Sequence, residues 1–315
     1  MGMSEVTPML ATLTEHYFSD PGWIYERKLD GERVIASRQG GHVTLRSRTG
    51  RALDNTYPEL VDALAAQQHD DFVVDGEVVA FDGSRTSFER LQQRIGITVR
   101  AQAAASRVPV FYYVFDLLRL DGADVTARPL RERKALLRDA ISFADPLRFT
   151  THRNEHGESY LAQACRWGWE GLIAKRADAA YSPGRSRDWL KFKCVNEQEF
   201  VIGGFTDPAG SRIGFGALLV GYYAGADLRY AGKVGTGYDT ATLRALRAEM
   251  DGLAQPAQAF AGPAIRERGA RWIAPVLVAQ IGFTEWTRDG KLRHPRFLGL
   301  RTDKDPRDVV RELPQ

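Results

Sequence analysis

The chain has 315 residues, 43% hydrophobic and 26% charged, which is ordinary for a soluble globular protein and leaves room for two domains with sizeable cores. Its net charge of +3 permits nucleic-acid binding without requiring it, because a local basic groove matters more than the total. Met1 to Tyr17 carries Glu5, Glu15 and His16 and no long apolar run, which excludes a secretory signal, and no stretch is apolar for long enough to span a bilayer. The two cysteines, Cys165 and Cys194, form no C-x-x-C pair and lie far from any His cluster; they read as small buried thiols in a reducing cytoplasm, with neither a zinc site nor a disulfide framework organising the fold.

The elements follow in chain order. Trp23–Lys28 and Val34–Arg38 read as short strands around an Asp30-Gly31 turn, and Val43–Arg46 as a third after Gly40-Gly41. Tyr57 to Gln67 has Leu60, Val61, Leu64 and Ala65 at helical spacing. Phe72–Phe81 reads as a strand pair interrupted at Asp75-Gly76. Phe88 to Ile95 is helical, Gln102–Ser106 a mobile loop, and Val108–Leu118 a buried strand. Arg128 to Ala140 and Ser159 to Trp169 read as helices, Gly171–Lys175 and Trp189–Val195 as strands. After about Asn196 the character changes. Phe200–Phe205, Ala217–Tyr223 and Leu228–Val234 are short strands separated by glycines, as in a small antiparallel barrel or sandwich. Thr240 to Met250 is a helix by period, Val276–Trp286 resumes the strand pattern, and Pro306–Leu313 is a short helix-like end. The expected domains are therefore 1–195 and 196–315.

Lys28-Leu29-Asp30-Gly31-Glu32-Arg33 reads K-x-D-G-x-R and places a lysine where a strand ends in a turn. A protonated lysine cannot attack phosphorus, and nearby cations lower its pKa. Trp189-Leu190-Lys191-Phe192-Lys193 offers two, since alternation puts Lys191 and Lys193 on one face with Trp189. Glu77, in Asp75-Gly76-Glu77, and Glu170, opening Glu170-Gly171-Leu172-Ile173-Ala174-Lys175, are carboxylates beside apolar runs and candidates for a divalent cation facing phosphates. Phe115, before Asp116, could stack on a purine. Arg33 and Arg48 lie in adjacent strand-like segments, where a planar guanidinium can grip phosphate. Leu292 to Lys304 is densely basic. G-x-x-x-x-G-K-[ST], a strand followed by G-x-G-x-x-G, H-E-x-x-H and G-x-S-x-G are all absent, so phosphate would be held by side chains and not by a Gly-rich loop.

Taken in order, K-x-D-G-x-R, S-R, D-G-E, F-D, E-G-L-I-A-K, W-L-K-F-K and a final R-x-D-K resemble the motif series of ATP-dependent DNA ligases. The wording of Glu199-Phe200-Val201-Ile202-Gly203-Gly204-Phe205, of Tyr230 to Gly237 and of Leu292-Arg293-His294-Pro295 is similar to the ligase module of bacterial non-homologous end-joining ligases and their stand-alone relatives. The resemblance runs from about Pro8 to Lys304. It implies an α+β fold: a nucleotidyltransferase (adenylation) domain of antiparallel sheets with flanking helices, then a C-terminal OB-fold β-barrel that clamps duplex by its backbone.

The resemblance also implies residue roles. Lys28 would carry AMP, and Glu26 would help recognise the adenine amino group. Phe115 would stack on adenine, with Leu172 or Ile173 on its other side. Arg33 and Arg48 would contact ribose or phosphates and later the 5′-phosphate of a nick. Glu77 would bind ribose or a metal, and Glu170 a metal, Mg²⁺ or Mn²⁺. Lys191 and Lys193 would neutralise the α-phosphate. Arg301, Asp303 and Lys304 would orient the leaving pyrophosphate, which implies hinge motion near Asn196. Gly299 stands where some ligases carry another arginine. The implied cofactor is ATP and the implied partner nicked duplex DNA. The expected setting is a bacterial, nucleoid-associated, cytoplasmic monomer, with Ku and any polymerase or nuclease on other chains. Two alternatives stay open: an RNA ligase or capping-type guanylyltransferase, since K-x-D-G is shared, and a DNA-end-binding protein without chemistry.

Overall fold

The computed structural model describes residues 6–194, 196–210 and 212–312; residues 1–5, Val195 and Leu313, on which some of the sequence expectations fall, lie outside the described residues. The chain divides into two compact units, one running through Cys194 and the other following it.

The first unit is built on two sheets. One orders Met9–Leu13, Gly184–Lys193, Gly171–Arg176, Trp23–Arg27 and His152–Asn154; the other orders Leu147–Phe149, Phe111–Leu120, Asp71–Val79, Glu32–Gln39 and His42–Ser47, with Ala123–Asp124 beside Phe111–Leu120. Alternation decides what each face meets. In the second sheet the even-numbered residues Val34, Ala36, Phe72, Val74 and Val78 join a core with helices Pro58–Ala65 and Phe88–Ile95. Proline opens the first helix at a position where a missing N–H costs nothing, and Ser87 caps the second by accepting from the Arg90 N–H. The odd-numbered residues Arg33, Ile35, Val73 and Asp75 belong to the opposite face, which packs on the first sheet through Met9, Phe115, Tyr181 and Trp189. The first sheet's outer face, with Tyr25, Leu172, Ala174 and Phe192, is covered by helix Gly157–Arg166 through Tyr160, Leu161 and Ala164.

The second unit is an antiparallel sheet ordered Asp227–Val234, Leu218–Ala224, Asn196–Thr206, Ala270–Phe283 and Ala254–Gln255, with Arg296–Leu300 on the far part of Ala270–Phe283. Helix Thr240–Asp251, capped by Asp239, packs Leu243, Leu246 and Met250 against it. The barrel is not closed: among the described residues no ladder joins the edge strand Asp227–Val234 to Arg296–Leu300 or Ala254–Gln255. That strand meets the following turn instead, where the Lys291 ammonium donates to the Tyr230 carbonyl at 2.7 Å.

Four further expectations change. Asp71–Val79 is one continuous strand, because the Asp75 charge is compensated and only the ladder register shifts at Asp75/Gly76. Gln102 to Ala104 lies in helix Arg100–Ala104, whose Ala103 is buried, and not in a mobile loop. Met9–Leu13, Leu147–Phe149 and His152–Asn154 are strands that the apolar pattern did not announce. Cys165 is exposed and Cys194 half-buried, and the two are joined in a disulfide that ties helix Gly157–Arg166 to the end of Gly184–Lys193, so they are not free buried thiols.

Asp75 is fully buried; it accepts from Arg33 Nε and Nη2 at 2.5 and 2.6 Å and from the Tyr181 hydroxyl at 2.6 Å. Arg33 also donates to the Met9 carbonyl at 3.2 Å, so one ion pair fastens both sheets. Asp75→Ala leaves an uncompensated charge between the sheets and should lower the urea unfolding free energy by about 3–5 kcal/mol. Adding Arg33→Met should restore part of that loss.

Candidate active site

Lys28 follows the strand Trp23–Arg27, and its N–H donates to the Gly171 carbonyl at 2.9 Å. The Asp30-Gly31 turn then carries the chain from the first sheet to the second. Gly31 is required by the closeness of the crossing: a Cβ there would stand 2.2 Å from the Val78 carbonyl oxygen. Gly171 is similarly confined, with φ +149 and the Phe192 carbonyl 2.0 Å from where a Cβ would be.

The ladders then bring the candidates together. Ile173 pairs with Glu26 on one side and with Lys191 on the other; Gly171 pairs with Lys193, and Lys175 with Trp189. Directly paired residues share a face. Glu26, Ile173, Lys175, Trp189, Lys191 and Lys193 therefore share the inner face of one sheet, with Lys28 continuing it. Leu172 is on the other face, in the outer core, so of Leu172 and Ile173 only Ile173 is on the side of Phe115.

The Lys28 ammonium is ion-paired with Glu170 Oε1. The second Glu170 oxygen is buried without a hydrogen-bond partner. Glu26 is fully buried and held by Lys134 at 2.5 Å and Lys175 at 2.6 Å. Burial alone would raise its pKa, but the two ammonium groups overcome this and hold it below the ordinary carboxylate range. Burial, opposed by Glu26 and helped by Lys134, brings Lys175 down to about 8. Beside them His152, which pairs across the strands with Glu26, is pushed down to about 4 by burial and by Lys134.

On the facing sheet, Phe115 is almost completely buried. The Arg33 guanidinium carbon lies 4.5 Å from its ring centre, Lys175 Nζ lies 4.1 Å away, and Trp189 meets it edge-on at 5.8 Å. Both cations gain from the ring quadrupole. In this structure Arg33 is held by Asp75 and lies over Phe115, and a charge-assisted pair with a buried carboxylate is a strong one. Glu77 is half-buried, directly opposite Arg33 in the ladder. Arg48 stands in the turn one step beyond the Val34–Ser47 pair. In the second unit Arg301 is bidentate to Asp303 at 2.9 and 2.8 Å, and Lys304 donates to Glu199 at 2.9 Å. Burial would raise the Asp303 pKa, but the Arg301 guanidinium holds it below its usual range.

Among the described residues no group of His, Cys, Asp or Glu forms a ready-made metal cage. The donor set fits Mg²⁺ or Mn²⁺ all the same, because such ions take one or two carboxylates and complete their shell with water and phosphate oxygens. The unpartnered Glu170 oxygen is the available ligand.

Sequence reasoning missed Asp75, Lys134 and Tyr181. A signal for Lys134 existed: Leu130, Arg133, Lys134 and Leu137 are spaced as the buried side of a helix, so the two cations among them needed buried carboxylates. Arg133 takes Asp116, at 2.7 and 2.8 Å, and Lys134 takes Glu26.

Residues 8–193 match a family described as ATP dependent DNA ligase domain, and residues 211–304 one described as ATP dependent DNA ligase C terminal region. The chain is 38% identical over 317 residues to the multifunctional non-homologous end joining protein LigD of Pseudomonas aeruginosa, covering 98% of this chain and 37% of that protein. Thus it spans well under half the length of this relative. It is 34% identical over 290 residues to DNA ligase C2 of Mycolicibacterium smegmatis, covering 85% of this chain and 80% of that protein. The solved structure of a mycobacterial DNA ligase D complexed with ATP and MES is similar with a TM-score of 0.68 and 36% identity, over 97% of this chain and 98% of that one. The chain belongs to the ATP-dependent DNA ligases.

Proposed function

We propose that this protein seals nicks or breaks in duplex DNA by way of a lysyl-AMP formed on Lys28, in double-strand break repair by end joining. The observation that carries the reading is the shared sheet face: Lys28, Lys191, Lys193 and the Glu170 carboxylate converge at one strand end.

The chemistry follows from those groups. The Lys28 amine gives its lone pair to the α-phosphorus of ATP, the bond from that phosphorus to the bridging oxygen breaks, and pyrophosphate leaves. Lys191 and Lys193 take up charge developing on the α-phosphoryl oxygens. Ile173 would supply apolar surface for the base, and Phe115 and Glu26 would reach its ring and amino group where the Lys175 contacts to both give way. Glu170, with Glu77, would hold the divalent cation, which when bound neutralises phosphate charge. An oxygen of the DNA 5′-phosphate then displaces Lys28 from AMP, and the amine regains a proton. Finally the 3′-hydroxyl attacks the 5′-phosphorus and AMP departs. Little covalent chemistry falls to the protein beyond Lys28, so positioning and charge neutralisation carry the rate. Arg301 and Lys304 supply cations for the departing pyrophosphate and have no such task in the later steps. Arg48, and Arg33 if it is released from Asp75, would meet the 5′-phosphate. A Ku-type end-binding protein and separate polymerase and nuclease chains are the proposed partners of a monomeric enzyme.

The test is incubation with α-labelled ATP and Mg²⁺. An acid-stable label on the protein is expected, and Lys28→Ala should abolish it. A preference for GTP would favour the capping-type alternative, and sealing of nicked RNA in preference to nicked DNA would favour an RNA ligase. An intact mass without AMP before and after ATP would end the enzymatic reading. Lys304→Ala should slow labelling by about tenfold or more, as expected where a charge contact to the leaving group is lost. The same variant should seal a pre-adenylated nick at close to the wild-type rate.

A further inference from the structure

Outside the nucleotide site, the first unit carries a contiguous run of arginines and aromatic rings. Trp167 and Trp169 lie 4.8 Å apart, and the Arg27 guanidinium sits 4.4 Å over Trp169 and 5.9 Å from Phe81. Phe81 meets Phe111 at 5.7 Å, and Arg148 covers Phe111 at 3.8 Å. The run spans both sheets beside Lys28 and Glu170, because Arg27 precedes Lys28 and Trp169 precedes Glu170. It reaches solvent: Trp167 is 42% exposed, the largest exposed aromatic surface among the described residues.

Several of its arginines form no ion pair, although Asp82 stands opposite Arg85 in the ladder of Phe81–Asp82 with Arg85–Thr86. Arg148 is paired with Asp145, but among the described residues Arg27, Arg85, Arg153 and Arg166 have no carboxylate partner. Arg85 lies flat against the Trp167-Gly168-Trp169 loop, where a Cβ on Gly168 would be 2.5 Å from its guanidinium carbon. Such a surface repels a basic partner, and it offers flat π-faces flanked by guanidinium groups. A duplex hides the faces of its bases and needs only cations for its backbone. Unpaired nucleotides present both a phosphate for the arginines and a base for the rings, which is the combination single-strand-binding surfaces use.

We propose that the surface centred on Trp167, Arg85 and Arg27 is a subsite for single-stranded nucleic acid, holding unpaired nucleotides that adjoin the strand end presented to Lys28. This rests on the DNA-sealing reading for what brings the strand there, though not for the binding itself. The stacking partner is Trp167, and Arg85 and Arg166 take the phosphates.

The test is fluorescence anisotropy at fixed salt with three probes: a short dT oligonucleotide, a nicked duplex bearing an unpaired dT flap, and a flush nicked duplex. Trp167→Ala should weaken binding of the first two by about fivefold or more, the loss expected for one stacked base. Trp167→Phe should retain most of the binding. Arg85→Ala should weaken it too and flatten its salt dependence. Binding of the flush nick and self-labelling with ATP should be unchanged in all three variants, which also reports that they are folded. Unchanged dT binding, an equal loss on the flush nick, or a Phe variant as weak as the Ala variant would each overturn the subsite, leaving a protein partner or a purely structural stack. If dT binding follows Trp167 while flush nicks are never sealed, the subsite stands and the sealing reading falls.

Discussion

The close approach of Gly31 to the Val78 carbonyl is the constraint on which the first unit turns. It lets the chain leave one sheet at Lys28 and enter the next at Glu32 within a few residues, so the two sheets are fixed to each other at the point where Lys28 stands. Any side chain at position 31 would have to push the strands apart. The separation would then be lost at Arg33, whose reach to both Asp75 and the Met9 carbonyl depends on it. Phe115 and Trp189 fill the same gap and would lose contact with it. Packing between sheets and placement of the lysine are therefore one property, set by a hydrogen atom in place of a methyl group.

The region between the sheets is unusually charged for a core. Asp75, Asp116, Glu26, Arg133, Lys134 and Lys175 are all buried. Each loses hydration on folding, and each recovers it only through close, paired contacts. Such pairs add little net stability compared with well-packed apolar residues, but they punish misplacement heavily. Glu26 is the clearest case. Two ammonium groups, one from a helix and one from the neighbouring strand, keep it ionised where burial would protonate it. Its partners cannot be removed singly without leaving a charge unmatched. Lys175 contributes twice, since it also caps Phe115 and Trp189 at about 4 Å.

Much of this was legible in the amino-acid order, for reasons specific to the elements concerned. Period-two alternation in Trp189 to Lys193 correctly placed Lys191 and Lys193 on one face, because that strand is covered differently on its two sides. The helix Phe88–Ile95 was legible to the residue, its Ser87 cap standing just before an apolar spacing. What could not be read was pairing across long sequence distances. Met9–Leu13 earns its place as a strand only by lying parallel to Gly184–Lys193. Asp75 looked like a break because the arginine that neutralises it is far along the chain. Cys165 and Cys194 looked like unrelated thiols, for their approach is made by a helix folding back on a strand and not by any local spacing. The glycine-separated strands left barrel and sandwich open, because such spacing specifies turns and not whether the last strand returns to the first; the closed barrel came from the resemblance alone.

The ion pair between Lys28 and Glu170 has a consequence for reactivity. An amine that donates to a carboxylate is held as ammonium and has no lone pair to offer. Lys28 is held against Glu170, with Lys191 and Lys193 on the same sheet face. Glu170 would release the ammonium once its charge is taken up by another cation, and its second oxygen is already buried and unpartnered. A nucleotide arriving with its counter-ion would bring that cation and the phosphorus together. Lys28 and Glu170 thus act as one unit, and a cation that engages the unpartnered Glu170 oxygen acts on the Lys28 contact as well.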